Sequence, residues 1–344
     1  MAHQSLYRTY RPKRFEDIVG QDQVVLPLAE QVKSGKVGHA FLFAGSRGLG
    51  KTSIARIFAR ELGTTDRDLY EIDAASHNGV DYIRELTDNI YTLPFESKFK
   101  VYILDEAHML SKGAWNAFLK TLEEPPAHAL FILATTEREK IPETVESRCQ
   151  VYEFKKPSRA VLTATVTDVA KQEGYALEPA AAELVALLGD GSYRDALSVL
   201  EKVLASTAGK KVSAEDAERA TGAPKHALVL ELVHALHEGD AARALTSIRE
   251  AADAGIDMQL YLTLLLEALR SALLIRHAPE MKQALKEELG DDRYAELEAL
   301  AGKNSGITPE TLRTFLDAAS RIRFSPVPSL PLELAVLELA HAES

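Results

Sequence analysis

Residues 45–52 have the types and spacing of a phosphate-binding loop. They read Gly45-Ser46-Arg47-Gly48-Leu49-Gly50-Lys51-Thr52 and match G-x-x-x-x-G-K-[ST], a narrow pattern because glycines, lysine and hydroxyl must fall in register. In such a loop the backbone N–H groups face phosphates, the lysine reaches the β- and γ-phosphates, and the hydroxyl binds Mg²⁺. The pattern predicts a nucleotide-phosphate site; the alternative is a glycine-rich turn that happens to contain Lys-Thr.

Two carboxylates, Asp105 and Glu106, directly follow the apolar run 101–104. Buried acids at a strand end are costly unless they hold a metal or a water. Asp105 is therefore a candidate Mg²⁺ partner, directly or through water, and Glu106 a candidate base that orients water toward the γ-phosphate. The alternative is an acidic strand-to-loop turn. The pair, however, follows the phosphate loop by about the length of one strand–helix unit, which favours the catalytic interpretation.

Alternating strand and helix patterns position these two motifs. Short apolar runs predict strands at residues 40–44, 69–72, 101–104, 130–135 and 151–154. The phosphate loop lies between the first of these runs and residues 53–60, which have the apolar spacing of a helix. This alternation predicts an α/β domain with a mostly parallel sheet and helices on both faces.

Beyond the last predicted strand the chain has helical patterns. Residues 155–158 break the α/β pattern, and Ser158 could cap a helix that begins near Ala160. Residues 189–192 predict a turn between helices, and residues 221–224 mark a further boundary before a Leu- and Ala-rich helical region without strand signals. The predicted domains are an α/β domain over 1–156, a helical lid over 157–221 and an all-helical domain over 222–344.

Composition narrows the class of protein. The 344 residues, 46% of them hydrophobic, suffice for two or three domains with their own cores. We find no apolar run of membrane-spanning length and no signal-peptide pattern, and therefore expect a cytoplasmic protein without a membrane partner. The single cysteine, Cys149, excludes an internal disulfide and a cysteine-based zinc site, which suits a reducing compartment.

The net charge of −11 is unevenly distributed along the chain. Residues 1–160 hold 22 Lys+Arg and 22 Asp+Glu, and the remainder holds 18 and 29, so the second part carries the whole excess. Bulk charge therefore gives no support for non-specific nucleic-acid binding. Any contact with DNA must come from a local basic track in the neutral first part.

Three further residues have types that suit catalysis. Thr136 follows the apolar run 130–135, where its hydroxyl could bind the γ-phosphate or the attacking water, although Thr is also common at strand ends. Arg148 could supply charge to a neighbouring subunit's nucleotide or could be a surface ion-pair residue. Arg194, near the start of a predicted helix, could fold onto the nucleotide of its own chain or pair with Asp195.

Nine segments together resemble the AAA+ clamp loaders, most closely the bacterial gamma/tau ATPase subunits of the DNA polymerase III clamp loader. The likeness covers nearly the whole chain, and the set of motifs is highly specific. The segments are residues 10–21, 45–52, 71–76, 104–110, 119–126, 134–136, 147–149, 191–197 and 323–333.

The resemblance implies a function and a set of site residues. It implies that ATP and Mg²⁺ bind the chain, with Thr52 and Asp105 at the metal and Lys51 and Glu106 at the reacting phosphate. It makes Thr136 sensor 1, Arg148 the trans-acting finger and Arg194 sensor 2. The implied nucleotide contacts are Tyr10, Arg11, Pro12, Val19, Gly45, Ser46, Arg47, Gly48, Leu49, Gly50, Lys51, Thr52, Ser53 and Arg194. The implied contacts to DNA phosphates, each of which could equally be a solvated helix residue, are Arg84, Ser111, Lys112 and Lys120.

The resemblance also implies partners and a task. It implies a pentameric ring, joined by a helical collar, of copies of this chain and delta- and delta-prime-type subunits. The ring would open a sliding clamp and place it on primer–template DNA during replication. Two departures from the bacterial pattern matter. Residues 61–70 run into the next strand without the four-cysteine insertion, which predicts no structural zinc. The sequence ends after the segment that resembles the collar, and from this we expect no tau-type extension.

Two other functions stay open at this stage. One is a structural clamp-loader subunit that binds nucleotide but hydrolyses it poorly, against which the intact Lys51, Thr52, Asp105 and Glu106 argue. The other is a different AAA+ machine such as a branch-migration helicase, which a winged-helix C-terminal domain would favour. The apparent all-helical collar and the Ser147-Arg148-Cys149 segment favour a clamp loader.

Overall fold

The computed structural model describes residues 4–302 and 305–342. Contacts between Cα atoms divide the chain into two compact units. The first unit combines the chain up to Thr165 with Ala186–Ser198, and the second combines Val166–Val185 with the chain from Val199 onward. The three-domain division given above stays a prediction.

The first unit contains a five-stranded parallel sheet. Its strands, in chain order, are β1 (Ala40–Ala44), β2 (Leu69–Asp73), β3 (Lys100–Asp105), β4 (Ala129–Thr135) and β5 (Gln150–Glu153). In space the order is β2-β3-β4-β1-β5, and every neighbouring pair is parallel. All five predicted strands are confirmed to within one residue at either end.

Helices cover both faces of this sheet, which explains why its central strands are continuous apolar runs rather than alternating ones. Every residue of β1 and β4 is buried. Along β1, Leu42 belongs to one core cluster, and Phe41 and Phe43 belong to another, so the strand contributes to two cores. The predicted α/β class is confirmed. The helices are α1 (Leu6–Thr9), α2 (Asp22–Ser34), α3 (Lys51–Glu61), α4 (Val80–Ile90), α5 (Lys112–Glu123) and α6 (Glu143–Glu146).

The strand register aligns the carboxyl ends of the strands that carry the motifs. Ala44 at the end of β1 pairs with Thr135 on β4, and Asp73 at the end of β2 pairs with Asp105 on β3. The loops that follow parallel strands emerge at this edge of the sheet, where ligands bind in open α/β folds. Asp105 is the last residue of β3, and the phosphate loop, Glu106 and Thr136 directly follow their strands.

The stretch after the sheet is mostly helical, as expected, with one correction. The helix predicted near Ala160 begins at Arg159, and the Ser158 hydroxyl accepts a hydrogen bond from the Val161 backbone (3.3 Å). Two short strands, β6 (Ala176–Leu177) and β7 (Lys211–Val212), pair in parallel within a stretch predicted to be wholly helical. Two-residue strands are too short to produce a periodic signal. The helices are α7 (Arg159–Gln172), α8 (Pro179–Leu188), α9 (Tyr193–Ser206) and α10 (Ala214–Thr221).

The C-terminal part of the second unit is built from helices around one apolar core. Within 222–302 and 305–342 no strand is found, so the predicted all-helical region is confirmed. The core gathers residues from most of these helices, among them Leu232, Ile248, Leu265 and Phe315. The helices are α11 (His226–Glu238), α12 (Ala241–Asp253), α13 (Met258–His277), α14 (Lys282–Leu289), α15 (Asp291–Leu300), α16 (Pro309–Ile322) and α17 (Leu330–Ala342).

Helix α13 corrects one expectation from the sequence. Its 20 residues are long enough and apolar enough to cross a membrane, although the sequence analysis finds no such run. Tyr261, Leu265 and Leu269 on this helix are fully buried in the helical core. One face of α13 thus belongs to the core of this helical region, as expected for the core helix of a folded domain.

Candidate nucleotide site

The first unit contains a cavity of about 720 Å³ at the carboxyl edge of the sheet. All but two of the predicted nucleotide contacts line this cavity. The two others, Gly45 and Ser46, accept hydrogen bonds from Lys51, which does line it. The carboxylates Asp105 and Glu106 line it as well. The predicted nucleotide residues in the lining are Tyr10, Arg11, Pro12, Val19, Arg47, Gly48, Leu49, Gly50, Lys51, Thr52, Ser53 and Arg194.

The phosphate loop joins β1 to α3 and requires glycine at two positions. Gly48 has φ of +79°, and a Cβ added there would lie 1.9 Å from the Ser192 hydroxyl oxygen. Gly45 has φ of +149°, and a Cβ there would lie 2.7 Å from the Phe154 carbonyl oxygen. A side chain at either position would be strained and would clash. Helix α3 starts at Lys51, within the last two residues of this loop, so its first N–H groups are available to an anion.

Lys51 is buried within the loop that precedes it. Its ammonium donates hydrogen bonds to the carbonyl oxygens of Gly45 (2.6 Å) and Ser46 (2.9 Å). Burial lowers the pKa of Lys51, and the carboxylates Glu106 and Asp105 oppose that shift. The hydrogen-bond acceptors of this buried ammonium among the described residues are neutral carbonyl oxygens, and a phosphate would bind it more strongly because a charged acceptor binds an ammonium more strongly than a neutral one.

Thr52 and Asp105 are brought into contact as predicted for a metal site. The Thr52 hydroxyl donates to Asp105 Oδ2 at 2.8 Å, and Asp105 Oδ1 accepts from the Glu106 backbone N–H at 3.0 Å. A hydroxyl and a carboxylate next to a phosphate site are the oxygen ligands that Mg²⁺ prefers, so these residues fit the ion. When bound, Mg²⁺ neutralises charge on the phosphate oxygens.

Glu106 has an unusual backbone conformation. Its φ of +48° and ψ of +44° lie in the left-handed region, which non-glycine residues adopt at a cost and often at functional sites. The Thr136 hydroxyl donates to Glu106 Oε2 at 2.9 Å. The candidate base, directly after β3, and the candidate sensor, directly after β4, are thus in direct contact.

His108 joins this cluster, although the sequence reasoning assigned it no role. Its side chain is only 6% exposed, and its Nδ1 lies 3.1 Å from the Thr135 hydroxyl and 3.5 Å from Glu106 Oε2. Its Nε2 lies 3.1 Å from Glu137 Oε1. The only sequence signal for this role is the position of His108 two residues after Glu106.

An excess of positive charge lines the cavity near the loop. Arg11 Nε donates to the Ser53 hydroxyl at 2.7 Å, and burial, reinforced by the nearby Arg56, lowers the pKa of Arg11. Arg56 forms two 2.6 Å hydrogen bonds with the carboxylate of Glu71. Sequence reasoning missed Arg56 and assigned Glu71 no contact. Like charges held together in a cavity favour an anionic ligand.

Arg194 lies at the start of α9 and contacts an aromatic ring. Its guanidinium carbon is 4.9 Å from the centroid of the Tyr7 ring, and no ion pair to Asp195 occurs among the described residues. The neighbouring Tyr193 donates its hydroxyl hydrogen to the Val19 carbonyl oxygen (2.6 Å). Tyr7 and Tyr193 line the cavity and were missed by the sequence reasoning, although Tyr193 falls within the quoted segment 191–197.

Arg148 is not among the described residues that line the cavity. Its Nη2 is paired with Glu123 Oε1 at 2.6 Å, and its Nη1 donates to the Thr144 carbonyl oxygen at 2.5 Å. The single chain thus has the ion pair that the sequence analysis left open as an alternative. A role in a neighbouring subunit's site stays a prediction.

The predicted DNA contacts lie on two adjacent helices, α4 and α5. The Ser111 hydroxyl caps α5 by accepting from the Ala114 N–H (3.2 Å), and Lys112 is the first helical residue. Arg84 lies on α4 and makes an exposed 3.4 Å pair with Asp81. Lys120 is exposed in the last turn of α5.

Family profiles match three consecutive parts of the chain. The profile of the DNA polymerase III delta subunit matches residues 64–158. The profile of the ATPase lid domain of the DNA polymerase III clamp loader subunit matches residues 162–209. The profile of domain III of the DNA polymerase III subunits gamma and tau matches residues 212–344.

Similarity to whole relatives decides the family. The chain is 32% identical to the DNA polymerase III subunit gamma of Buchnera aphidicola, over 98% of both proteins. The chain belongs to the DNA polymerase III gamma/tau family. It is also 36% identical to the tau subunit of Bacillus subtilis over 98% of the chain, and 39% identical to that of Escherichia coli over 81%. The chain spans 63% of the length of the first of these tau subunits and 46% of the second.

The solved structures support an AAA+ fold for this gamma/tau chain. The Thermotoga maritima RuvB Holliday junction branch migration motor matches it with a TM-score of 0.54 at 21% identity, covering 85% of this chain and 91% of RuvB. A variant of that RuvB with a Thr-to-Val substitution matches with the same TM-score and identity. At this identity the likeness shows the fold alone.

Proposed function

We propose that this chain is the ATPase subunit of a DNA polymerase III-type clamp loader. ATP binding and hydrolysis would drive opening of a sliding clamp and its placement on primer–template DNA. The observation that carries the proposal is the contact of Thr52 with Asp105 beside Glu106 and Thr136, at the phosphate loop of a gamma/tau chain. A subunit that only binds nucleotide has no need of this hydrolytic set.

The side chains suggest a division of labour during hydrolysis. Lys51 and the N–H groups at the start of α3 would hold the phosphates, while Thr52 and Asp105 would hold Mg²⁺. Glu106 would accept a proton from water as that water attacks the γ-phosphorus and the bond to the ADP oxygen breaks. The hydrogen bond from Thr136 would orient the Glu106 carboxylate toward this water. The result is ADP and inorganic phosphate.

An exposed apolar stripe on α17 supports an assembly through the collar. Leu330, Leu334 and Leu337 are each about 40% exposed and recur at helical spacing, whereas Leu332 and Val336 on the same helix are buried in the core. Contiguous exposed apolar surface marks protein interfaces. We propose that this face contacts other clamp-loader subunits, namely copies of this chain and delta- and delta-prime-type chains in a pentameric ring. Cytoplasmic location and the lack of structural zinc stay predictions.

A branch-migration helicase is the second candidate, because RuvB shares the fold. The C-terminal region argues against it. Residues 212–344 match domain III of gamma and tau, and the described part of the region from residue 222 onward is helical, without the strands of a winged helix. These observations favour clamp loading.

An ATPase assay on the assembled complex tests the proposed function. The chain is mixed with delta-type subunits, and phosphate release is measured alone, with primed DNA, and with primed DNA plus sliding clamp. We expect turnover that rises with both additions and is absent in the Lys51→Ala variant. If the chain binds ATP but does not hydrolyse it in any of the mixtures, the result would favour a structural clamp-loader subunit. Clamp-independent unwinding of a four-way junction would favour the helicase.

Contacts with DNA are proposed at the paired helices α4 and α5. Their N-terminal ends are adjacent, because the Ser111 N–H donates to the Asn78 carbonyl oxygen at 3.1 Å and Asn78 lies just before α4. Helix N-termini favour phosphates.

A triple alanine variant at Arg84, Lys112 and Lys120 tests this proposal. We expect it to bind primed DNA more weakly than the parent, and we expect the loss of affinity to be about the same for DNA of unrelated sequences. The log-affinity against log-salt slope should become shallower, by up to about 0.9 per lost phosphate contact.

A charge-matched variant controls for the loss of net charge. Lys33, Lys36 and Lys171 are exposed and lie outside α4 and α5, so their replacement by Ala should leave the salt slope unchanged. ATPase activity without DNA should survive in both variants, because none of these residues lines the nucleotide cavity. An Arg84/Lys112/Lys120 variant with the parent's affinity and slope would show that the basic track lies elsewhere.

A further inference from the structure

Three consecutive residues at the start of α9 contact three separate parts of the nucleotide site. Ser192 packs on the phosphate loop so closely that a Cβ on Gly48 would lie 1.9 Å from its hydroxyl. Tyr193 donates to the Val19 carbonyl oxygen at 2.6 Å. Arg194 then lies over the ring of Tyr7. The first two contacts fix the backbone of this segment, and the third fixes only the Arg194 side chain.

The Tyr7 ring is itself held in place beside the cavity. Tyr7 belongs to α1, whose Leu6 is buried and whose backbone is closed by the hydrogen bond from the Tyr10 N–H to the Leu6 carbonyl oxygen (2.9 Å). Its ring centroid lies 4.9 Å from the guanidinium carbon of Arg194. The electron-rich face of an aromatic ring attracts a guanidinium, and the planar group stacks on it.

Apart from this ring, the described residues give Arg194 no partner that would hold its guanidinium at the cavity. Arg11 and Arg56 lie nearby, and the pKa of Arg11 is lowered by burial, by Arg56 and, to a smaller degree, by Arg194 itself. Arg194 is exposed and has no described carboxylate partner. Holding a long, exposed arginine side chain in one conformation costs rotamer entropy, so without a partner this side chain would sample many positions in solvent. Stacking on Tyr7 opposes this.

We propose that Tyr7 is a positioning residue that holds Arg194 at the cavity so that its guanidinium meets the nucleotide phosphates. This proposal rests on the proposed ATPase function, because it takes the bound ligand to be ATP. Tyr7 acts only through Arg194 and needs no contact with the nucleotide. Its effect on ATP binding must therefore depend on the presence of Arg194.

A double-mutant cycle on the full chain tests this dependence. The dissociation constant of a fluorescent ATP analogue is measured for the parent, Tyr7→Leu, Arg194→Met and the double variant. The loss of a cation–π contact corresponds to roughly a 2- to 30-fold change in affinity, so Tyr7→Leu should weaken binding within this range. Tyr7→Phe keeps the ring and should bind like the parent. In the Arg194→Met background, Tyr7→Leu should change the affinity by less than about twofold.

Each outcome discriminates between explanations. Equal losses from Tyr7→Leu in both backgrounds would mean that Tyr7 supports the fold or contacts the nucleotide directly, and would overturn the proposal. The proposal would also be overturned if Tyr7→Leu bound ATP with the affinity of the parent. The same holds if Arg194→Met bound ATP like the parent while Lys51→Ala no longer bound it. If neither the parent nor any variant binds ATP, the proposed function itself fails. Tyr7→Gln, which also lacks the ring, replaces Tyr7→Leu if that variant does not fold.

Discussion

Replacement of Glu106 by Gln is expected to preserve ATP binding and to lower the turnover number by about 10²- to 10⁴-fold. The amide has nearly the shape of the carboxylate and can still accept the hydrogen bond from Thr136, which is 2.9 Å long in the parent. It cannot take a proton from the attacking water. The turnover number of the assembled complex and the dissociation constant for ATP of the isolated chain are the two measurements.

Glu137 offers a matched control for this substitution. It is a second carboxylate in the same cluster, with Oε1 3.1 Å from His108 Nε2, but it is not among the described residues that line the cavity. Glu137→Gln removes one negative charge at a similar place and should leave turnover within about twofold of the parent. If Glu106→Gln hydrolyses ATP as fast as Glu137→Gln, Glu106 is not the base.

The parts of the site that sequence alone could predict are local in the chain. The phosphate loop is one continuous segment, and its position between an apolar run and a helix follows from the neighbouring residues. The five strands were predictable because a sheet covered on both faces makes continuous apolar runs. The contact of Thr52 with Asp105 then followed from the parallel order of these strands, which brings their carboxyl ends together.

The contacts that the sequence could not predict join distant segments. Tyr7 and Arg194 are far apart in the chain, and no spacing rule links them. The ion pair between Arg148 and Glu123 could not be predicted, because many other carboxylates in the sequence could pair with Arg148. The left-handed backbone conformation of Glu106 could not be predicted either, since residues other than glycine, Asn and Asp rarely adopt it.

Asp68 is a further residue whose contacts the sequence could not predict, and it lies outside the candidate site. The sequence places it in a polar stretch that would normally form an exposed loop, yet the residue is fully buried. Burial alone would raise its pKa, but hydrogen bonds from the backbone N–H groups of Glu96, Phe95 and Ser97 outweigh this and lower the pKa to about 2. The acceptor and its three donors are separated by more than 25 residues, so only the folded chain reveals the arrangement.

Replacement of Arg148 by Ala is expected to separate binding from hydrolysis. Because Arg148 is held outside the cavity of its own chain by Glu123 and the Thr144 carbonyl, the isolated variant should bind ATP like the parent. In the assembly, the loss of an arginine that stabilises transition-state charge in a neighbour's site should lower turnover by about 10³- to 10⁵-fold. Arg60→Ala, which removes another exposed arginine, should leave turnover unchanged and controls for charge.

A mixture of two inactive variants tests whether the site is shared between subunits. Arg148→Ala keeps an intact phosphate site, and Lys51→Ala keeps an intact Arg148. An interface with the phosphate site of the first variant and the arginine of the second therefore contains both catalytic parts. ATPase activity should therefore reappear on mixing and pass through a maximum at an intermediate ratio. If assemblies shown to contain both variants stay inactive at every ratio, Arg148 acts within its own chain or only in the fold, and its pairing with Glu123 is then its whole role.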